Sequence, residues 1–241
     1  MDVEPARPVL VLTGAGISAE SGLPSFRGAD GLWEGWRLEE VATPEAFARQ
    51  PETVQRFYNE RRRSLLAASV APNPAHLALA RLADRWPGGV VLVTQNIDDL
   101  HERGGSASVV HMHGELLKVR CLGCQAVTLW RKDVAAVSAC DACGQAGRLR
   151  PHVVWFGEMP LALDVIEAAI EACGLFIAIG TSGNVYPAAG FVDAVRRVGH
   201  AHTIEVNLDA SAVTSAFDEV RRGPASVRVP ELVDELLAGL P

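Results

Sequence analysis

Short apolar runs alternate with amphipathic stretches along most of the chain, and that alternation sets the expected elements. Residues 9–12 (VLVL) are wholly apolar and pass straight into T-G-A-G, as a strand buried on both faces does when it ends in a tight turn. Residues 20–37 carry Gly, Pro and Ser without period and read as a long loop, an uncommon feature that is often functional. Helices are expected from Thr43-Pro44-Glu45 onward, over 53–68 behind Pro51-Glu52, and over 75–85 behind Asn73-Pro74. Proline suits the first helical turn, where its missing N–H has no intrahelical partner to lose. After Gly88-Gly89 come a strand at 90–93, a short helix at 98–103 and a strand at 109–112. The last third alternates cleanly, with strands at 175–179, 203–206 and 227–229 and helices at 187–198 and 231–240. Such alternation argues an α/β fold with a parallel sheet covered on both faces. Residues 117–150 break the pattern, so the expected organisation is one α/β unit interrupted by inserts at roughly 31–75 and 117–150.

Composition narrows the class. The chain has 241 residues, 49% hydrophobic and 21% charged, which excludes a disordered or fibrous protein. A net charge of -7 argues against non-specific binding of nucleic acid by the surface at large. No run approaches the ~18 apolar residues of a membrane span, and no basic segment precedes residues 9–12, so a soluble cytoplasmic protein is expected. Five cysteines are an odd number for a disulfide framework, and four of them form close pairs, which fits a reducing compartment and a metal.

Those pairs carry the strongest chemical signal. Cys121-x-x-Cys124 and Cys140-x-x-Cys143 are two knuckles, each presenting two thiolates from one tight turn. Four thiolates close a tetrahedral shell, so the expected ion is a structural zinc. Cys173, among apolar residues in an expected helix, reads as core. Gly14-Ala15-Gly16-Ile17-Ser18-Ala19 fits G-x-G-x-x-[G/A] after a strand: the first glycine permits the turn, and the second lets backbone approach a pyrophosphate. A dehydrogenase would continue with a second strand and an acidic ribose reader; the loop at 20–37 stands there instead, which weakens a hydride-transfer reading. Three further expected strand ends carry polar groups, at Gln95-Asn96-Ile97-Asp98, His111-Met112-His113-Gly114 and Gly180-Thr181-Ser182. Ligands of open α/β sheets sit beyond such ends. His113, ending a strand before a glycine, suits a general base, whereas His111 suits a structural role.

Taken together, GAGISAESGLPSFRG (14–28), TQNIDDLH (94–101), HMHGEL (111–116), the four cysteines, VVWFGE (153–158), GTSGNVYPAA (180–189) and EVN (205–207) resemble the sirtuin family of NAD-dependent protein lysine deacylases, in family order over nearly the whole chain. The resemblance implies a Rossmann-like large domain and a small domain built from the zinc module and the helical insert, with NAD between them as a consumed co-substrate. It implies His113 as general base, and Gln95, Asn96, Ile97 and Asp98 around the nicotinamide and ribose. Gly14, Ala15, Gly16, Ala19, Phe26 and Arg27 belong to the phosphate turn and cofactor loop, and Gly180, Thr181, Ser182 and Asn207 to the adenosine side. Val154, Trp155, Phe156 and Gly157 resemble the strand that pairs with an acylated lysine peptide by β-augmentation. The implied products are free lysine, nicotinamide and O-acyl-ADP-ribose.

The acyl group is partly legible. Tyr58 and Arg61, at i and i+3 on an expected helix, resemble the Tyr-x-x-Arg of family members that remove succinyl and malonyl groups, and Ala42 resembles their small pocket residue. Arg61 would bind a distal carboxylate and Tyr58 would donate a hydroxyl, with acetyl still accommodated. Alternatively, Arg61, Arg62 and Arg63 form one solvated helix face. Competing functions are an ADP-ribosyltransferase or NAD glycohydrolase using the same pocket, and a non-catalytic NAD-sensing or zinc-ribbon module. Arg131, Lys132, Arg148 and Arg150 are too sparse to read nucleic acid.

Overall fold

The computed structural model describes residues 4–24, 32–33 and 35–240. Its strands are β1 (Val9–Thr13), β2 (Leu32–Trp33), β3 (Trp36–Arg37), β4 (Val90–Thr94), β5 (Val110–His111), β6 (Gly114–Cys121), β7 (Val127–Leu129), β8 (Leu149–Val153), β9 (Leu175–Ile179), β10 (His202–Asn207) and β11 (Glu219–Arg222). Its α-helices are α1 (Gly16–Ala19), α2 (Leu38–Val41), α3 (Pro44–Arg49), α4 (Pro51–Leu65), α5 (Pro74–Arg85), α6 (Leu100–Arg103), α7 (Leu163–Ala172), α8 (Phe191–Val198) and α9 (Ala225–Ala238).

Six strands form a parallel sheet in the order β11-β10-β9-β1-β4-β5. Alternate residues of β1 and β9 enter different cores, as a period of two requires. Val9, Val11, Ile177 and Ile179 pack with α5 and α9, whereas Leu10, Leu12, Phe176 and Ala178 pack with α7 and α8. From β1 the chain builds outward to β4 and β5, and from β9 in the opposite direction to β10 and β11. The crevice between the β1 and β9 exits is therefore the topological switch point, where such sheets bind ligands.

The expected strand at 227–229 is corrected: these residues belong to α9, and the edge strand is β11 instead. Buried Ala225, Val229, Leu232, Val233 and Leu236 follow the 3.6-residue period across Pro230, so packing on the sheet carries the helix through a residue that cannot donate its hydrogen bond.

The small domain has two parts. β7-β6-β8 form an antiparallel sheet, and α2, α3 and α4 pack beside it around Val41, Val54, Phe57, Leu116 and Trp155. Three polar side chains at i, i+4 and i+7 of α4 tie the two parts together. Gln55 Nε2 donates to the Leu149 carbonyl at 2.8 Å. The Asn59 amide bonds both the N–H and the carbonyl of Val134, each at 2.9 Å. Arg62 donates to the Leu116 carbonyl and to Asn59 Oδ1. No helix among the described residues is long and apolar enough to cross a membrane.

Candidate active site

Two glycines bring the switch point together. A Cβ on Gly16 would lie 2.6 Å from the Gly180 Cα, and one on Gly180, where φ is +62°, would lie 2.5 Å from the Ile17 nitrogen. The turn after β1 thus sits directly on the turn after β9, with the Gly14 amide on the Ile179 carbonyl and the Gly16 amide on the Gly180 carbonyl, both at 2.9 Å. This adds a second reason for the second glycine. The room it leaves is filled by Gly180, so its lack of a side chain also lets two backbones touch.

Beyond β4 lies a closed polar cluster. Asn96 Nδ2 donates to the Gly14 carbonyl and to Ser18 Oγ, both at 3.1 Å, while its backbone N–H donates to Thr94 Oγ1. Ser18 Oγ donates to Asp98 Oδ2 at 3.0 Å, and Asp98 Oδ1 accepts the Leu100 N–H. Both amide hydrogens of Asn96 are thereby assigned to protein, and Oδ1 is the atom presented to a ligand. Burial, only partly offset by these hydrogen bonds, raises the Asp98 pKa. Ser18 was not among the expected site residues. Its signal was its place in the glycine motif, but only the fold shows that it joins Asn96 to Asp98.

Three histidines stand nearby, two with lowered pKa values and one with a raised one. His113 Nδ1 lies 3.0 Å from the Gln95 carbonyl, and since a carbonyl only accepts, Nδ1 carries the proton and Nε2 keeps its lone pair. Burial lowers the His113 pKa, only partly offset by that bond. His111 has acceptors on both sides, Glu102 at 2.6 Å and the Asn96 carbonyl at 3.4 Å. Burial disfavours its charge, but the Glu102 hydrogen bond and carboxylate outweigh that, and the His111 pKa is raised. His101, beneath the sheet against Thr13, is pushed down to about 3 by burial and by the neighbouring histidines.

Ser18, Asn96, Asp98 and His113, but neither His101 nor His111, line one cavity of about 920 Å³, near the top of the range for small-molecule sites. One wall holds Gly14, Ala15, Gly16 and Ala19; the floor holds Gln95, Asn96, Ile97, Asp98 and His113. Gly180, Thr181, Ser182 and Asn207 close the far end, where Asn207 Nδ2 donates to the Thr181 carbonyl at 2.7 Å. Phe26 and Arg27 lie outside the described residues.

Ala42, Tyr58 and Arg61 line the same cavity from the small domain. The solvated-face alternative is contradicted: Arg61 is 9% exposed and Arg62 1%, and only Arg63 reaches outward, to Asp133. Arg61 Nη1 donates to the Phe57 carbonyl at 2.9 Å, with its guanidinium 3.2 Å from the Phe57 ring centroid. Residues 154–157 line the cavity too but form no strand, since β8 ends at Val153. The amides of Val154, Trp155 and Phe156 donate to the His113 carbonyl, Glu158 Oε2 and the Ala42 carbonyl. β-augmentation through those three N–H groups is therefore closed, because each already has an acceptor within the chain.

The four cysteines meet away from the cavity, with Cys121 and Cys140 buried in a core with Val119, Trp130 and Val134 and Cys124 and Cys143 exposed. Their sulfurs lie within 4.8 Å of one another, and Cys121–Cys143 and Cys124–Cys140 are each 3.8 Å apart. Metal–sulfur bonds of about 2.3 Å give a tetrahedron with edges of about 3.8 Å, so the donor set fits a structural zinc. Cys173 caps the end of α7 as buried core, one residue beyond the helix in which it was expected.

Fold and site define a dinucleotide-binding α/β protein with a zinc-type module. The profile of the Sir2 family matches residues 14–187. An "NAD-dependent protein deacylase" of Vibrio cholerae is 56% identical over 97% of this chain and 95% of its own length. One of Escherichia coli (strain K12), of the same name, is 59% identical over 96% of this chain and 83% of its own. A solved Sir2 homologue–NAD complex superposes with a TM-score of 0.86 at 42% identity, covering 97% of this chain and 91% of that one. A Sir2–p53 peptide–NAD+ complex gives 0.80 at 30% identity, covering 95% and 93%. The chain belongs to the Sir2 family. These findings support NAD-dependent deacylation and lend nothing to the transferase, glycohydrolase or binding-module alternatives.

Proposed function

We propose that this protein removes acyl groups from lysine side chains of proteins or peptides in an NAD-dependent reaction, accepting acetyl groups and also the acidic succinyl and malonyl groups. The observation that carries the chemistry is His113, a buried cavity residue whose proton is held on Nδ1 by the Gln95 carbonyl. NAD, when bound, supplies a ribose carbon bearing nicotinamide as leaving group. His113 Nε2 takes the proton of a ribose hydroxyl as general base, the lowered pKa keeping it neutral at pH 7. Asn96 and Asp98, anchored through Ser18, hold the ribose and nicotinamide side, while Gly180, Thr181, Ser182 and Asn207 hold the adenosine side.

Arg61 and Tyr58 support the acidic-acyl reading. A buried guanidinium beside a phenol, in a pocket kept open by Ala42, is charge-complementary to a distal carboxylate and leaves space for acetyl. The thiolate cluster suits the reducing cytoplasm, where we place the activity. The direct test incubates the protein and NAD with acetyl-, succinyl- and malonyl-lysine peptides and identifies products by mass spectrometry. Deacylated peptide with O-acyl-ADP-ribose is the expected result. ADP-ribosylated protein or free ADP-ribose alone would overturn it.

A further inference from the structure

Trp155 faces the acyl end of the cavity yet is only 2% exposed, and its indole N–H has a defined partner. Trp155 Nε1 donates to Tyr58 Oη at 2.9 Å. The tryptophan is itself held from several directions. Its backbone N–H donates to Glu158 Oε2 at 2.8 Å, and the Arg150 guanidinium lies 3.5 Å from its ring centroid. Arg150 grips the same Glu158 carboxylate through two bonds of 2.7 and 2.9 Å and also donates to the Val153 carbonyl, tying the assembly to β8. Phe47 packs on the tryptophan at 5.3 Å between ring centroids.

Indole nitrogen can only donate, so the direction of the Trp155–Tyr58 bond is fixed. A tyrosine hydroxyl has one hydrogen. With an oxygen lone pair occupied by Trp155, that hydrogen is turned away from the indole toward another acceptor. A hydroxyl that accepts one hydrogen bond also becomes a stronger donor of its own. The Phe57 ring, edge-on at 5.0 Å, restricts the Tyr58 ring from the other side. Burial holds the Tyr58 phenol above its ordinary range, so it stays a neutral donor.

We propose that Trp155 is a specificity-determining positioning residue, whose indole N–H orients the Tyr58 hydroxyl as a donor beside Arg61 and so sets the preference for acyl groups ending in a carboxylate. The proposal rests on the reading of Tyr58 and Arg61 as the acyl-carboxylate site. Trp155→Phe keeps an aromatic plate and deletes the donor. Each variant is scored by its ratio of kcat/KM for a succinyl-lysine peptide to that for the acetyl-lysine peptide of the same sequence, so general damage cancels. The ratio is expected to fall about three- to tenfold, through KM rather than kcat. A Tyr58→Phe, Trp155→Phe double variant should show a ratio no lower than Tyr58→Phe alone, because both changes delete one contact. Replacing Trp155 by 3-benzothienylalanine, an isostere lacking the N–H, should give the same fall and serves where the phenylalanine variant does not fold. An unchanged ratio with the isostere, or fully additive losses in the double variant, overturns the proposal. Arg61→Met, run alongside, separates the two readings. If it too leaves the ratio unchanged, the acyl-carboxylate site itself falls; if it collapses the ratio while the isostere does not, only the role of Trp155 falls.

Discussion

The two ends of the cavity are built on opposite principles. At the His113 end, the groups stand at the exits of parallel strands and are aimed mostly by backbone: the Gln95 carbonyl sets the His113 proton, and the Gly14 carbonyl and Ser18 set the Asn96 amide. At the Tyr58 end, the Tyr58 hydroxyl is aimed by another side chain, Trp155, which Arg150 and Glu158 hold in turn, while Arg61 donates to the Phe57 carbonyl and lies on the Phe57 ring. Backbone carbonyls at strand ends persist through most substitutions, so the first end suits chemistry common to every substrate. Side-chain contacts change with a single mutation, so the second end suits selection among acyl groups.

Perturbing the zinc module should have the largest effect, because it carries the second end. The protein should hold one equivalent of zinc, and strong chelation should unfold β6–β8 with the loops between them, since the four cysteines join the two knuckles at residues 121–124 and 140–143. Metal analysis and circular dichroism during chelation check this; fully reduced protein without zinc would contradict it. Because Gln55 and Asn59 bond this module, chelation should reach the acyl pocket through α4.

His113→Ala tests the first end and should slow deacylation by ~10²–10⁴ for every acyl group alike, with the melting temperature little changed. Nicotinamide release in a continuous assay reads it. More than about a tenth of wild-type turnover would remove His113 from its role. Arg61→Met tests the second end and should be selective. The succinyl-to-acetyl ratio of kcat/KM should fall by roughly 2–4 kcal/mol, about 30- to 1000-fold, the value of a charge-assisted contact in a partly desolvated pocket. Equal losses on both substrates would erase the distinction between the ends.

Acid should act on the first end. In the proposed role His113 would work as a base only when neutral, and burial lowers its pKa, so activity should be full at pH 7 and fall as pH drops through a midpoint below 6.5. Below that midpoint kcat/KM should decline about tenfold per pH unit. A midpoint above 7 would mean that burial does not govern this histidine. Tyr58→Phe should give the smallest effect, a loss of about 1 kcal/mol confined to acids such as succinyl-lysine.

How far the sequence alone reached follows from the range of the interactions involved. The wholly apolar runs gave away β1, β4 and β9, because a strand buried on both faces is mostly apolar, and β10 was legible at 203–206 although it buries Thr203 and Glu205. The two cysteine knuckles gave away their cluster, because a tight turn fixes each pair locally. The 227–229 run was misread as a strand since Pro230 and valine are local signals, and the helix there is imposed by the sheet beneath it. Likewise 154–157 looks extended as sequence, but its amides take partners from Ala42, His113 and Glu158. The glycine motif named the right turn, while a second reason for Gly16 lay in Gly180, 164 positions away in the chain and in contact only once β1 and β9 pair. Spacing placed Tyr58 and Arg61 on one helix face, and could not say whether water or the cavity lay in front of them. That was decided by tertiary packing, which buries Arg61 and Arg62 and brings Trp155 to the Tyr58 hydroxyl. Local chemistry can be read along a chain; burial and the partner of a buried polar group are properties of what the rest of the chain folds against it.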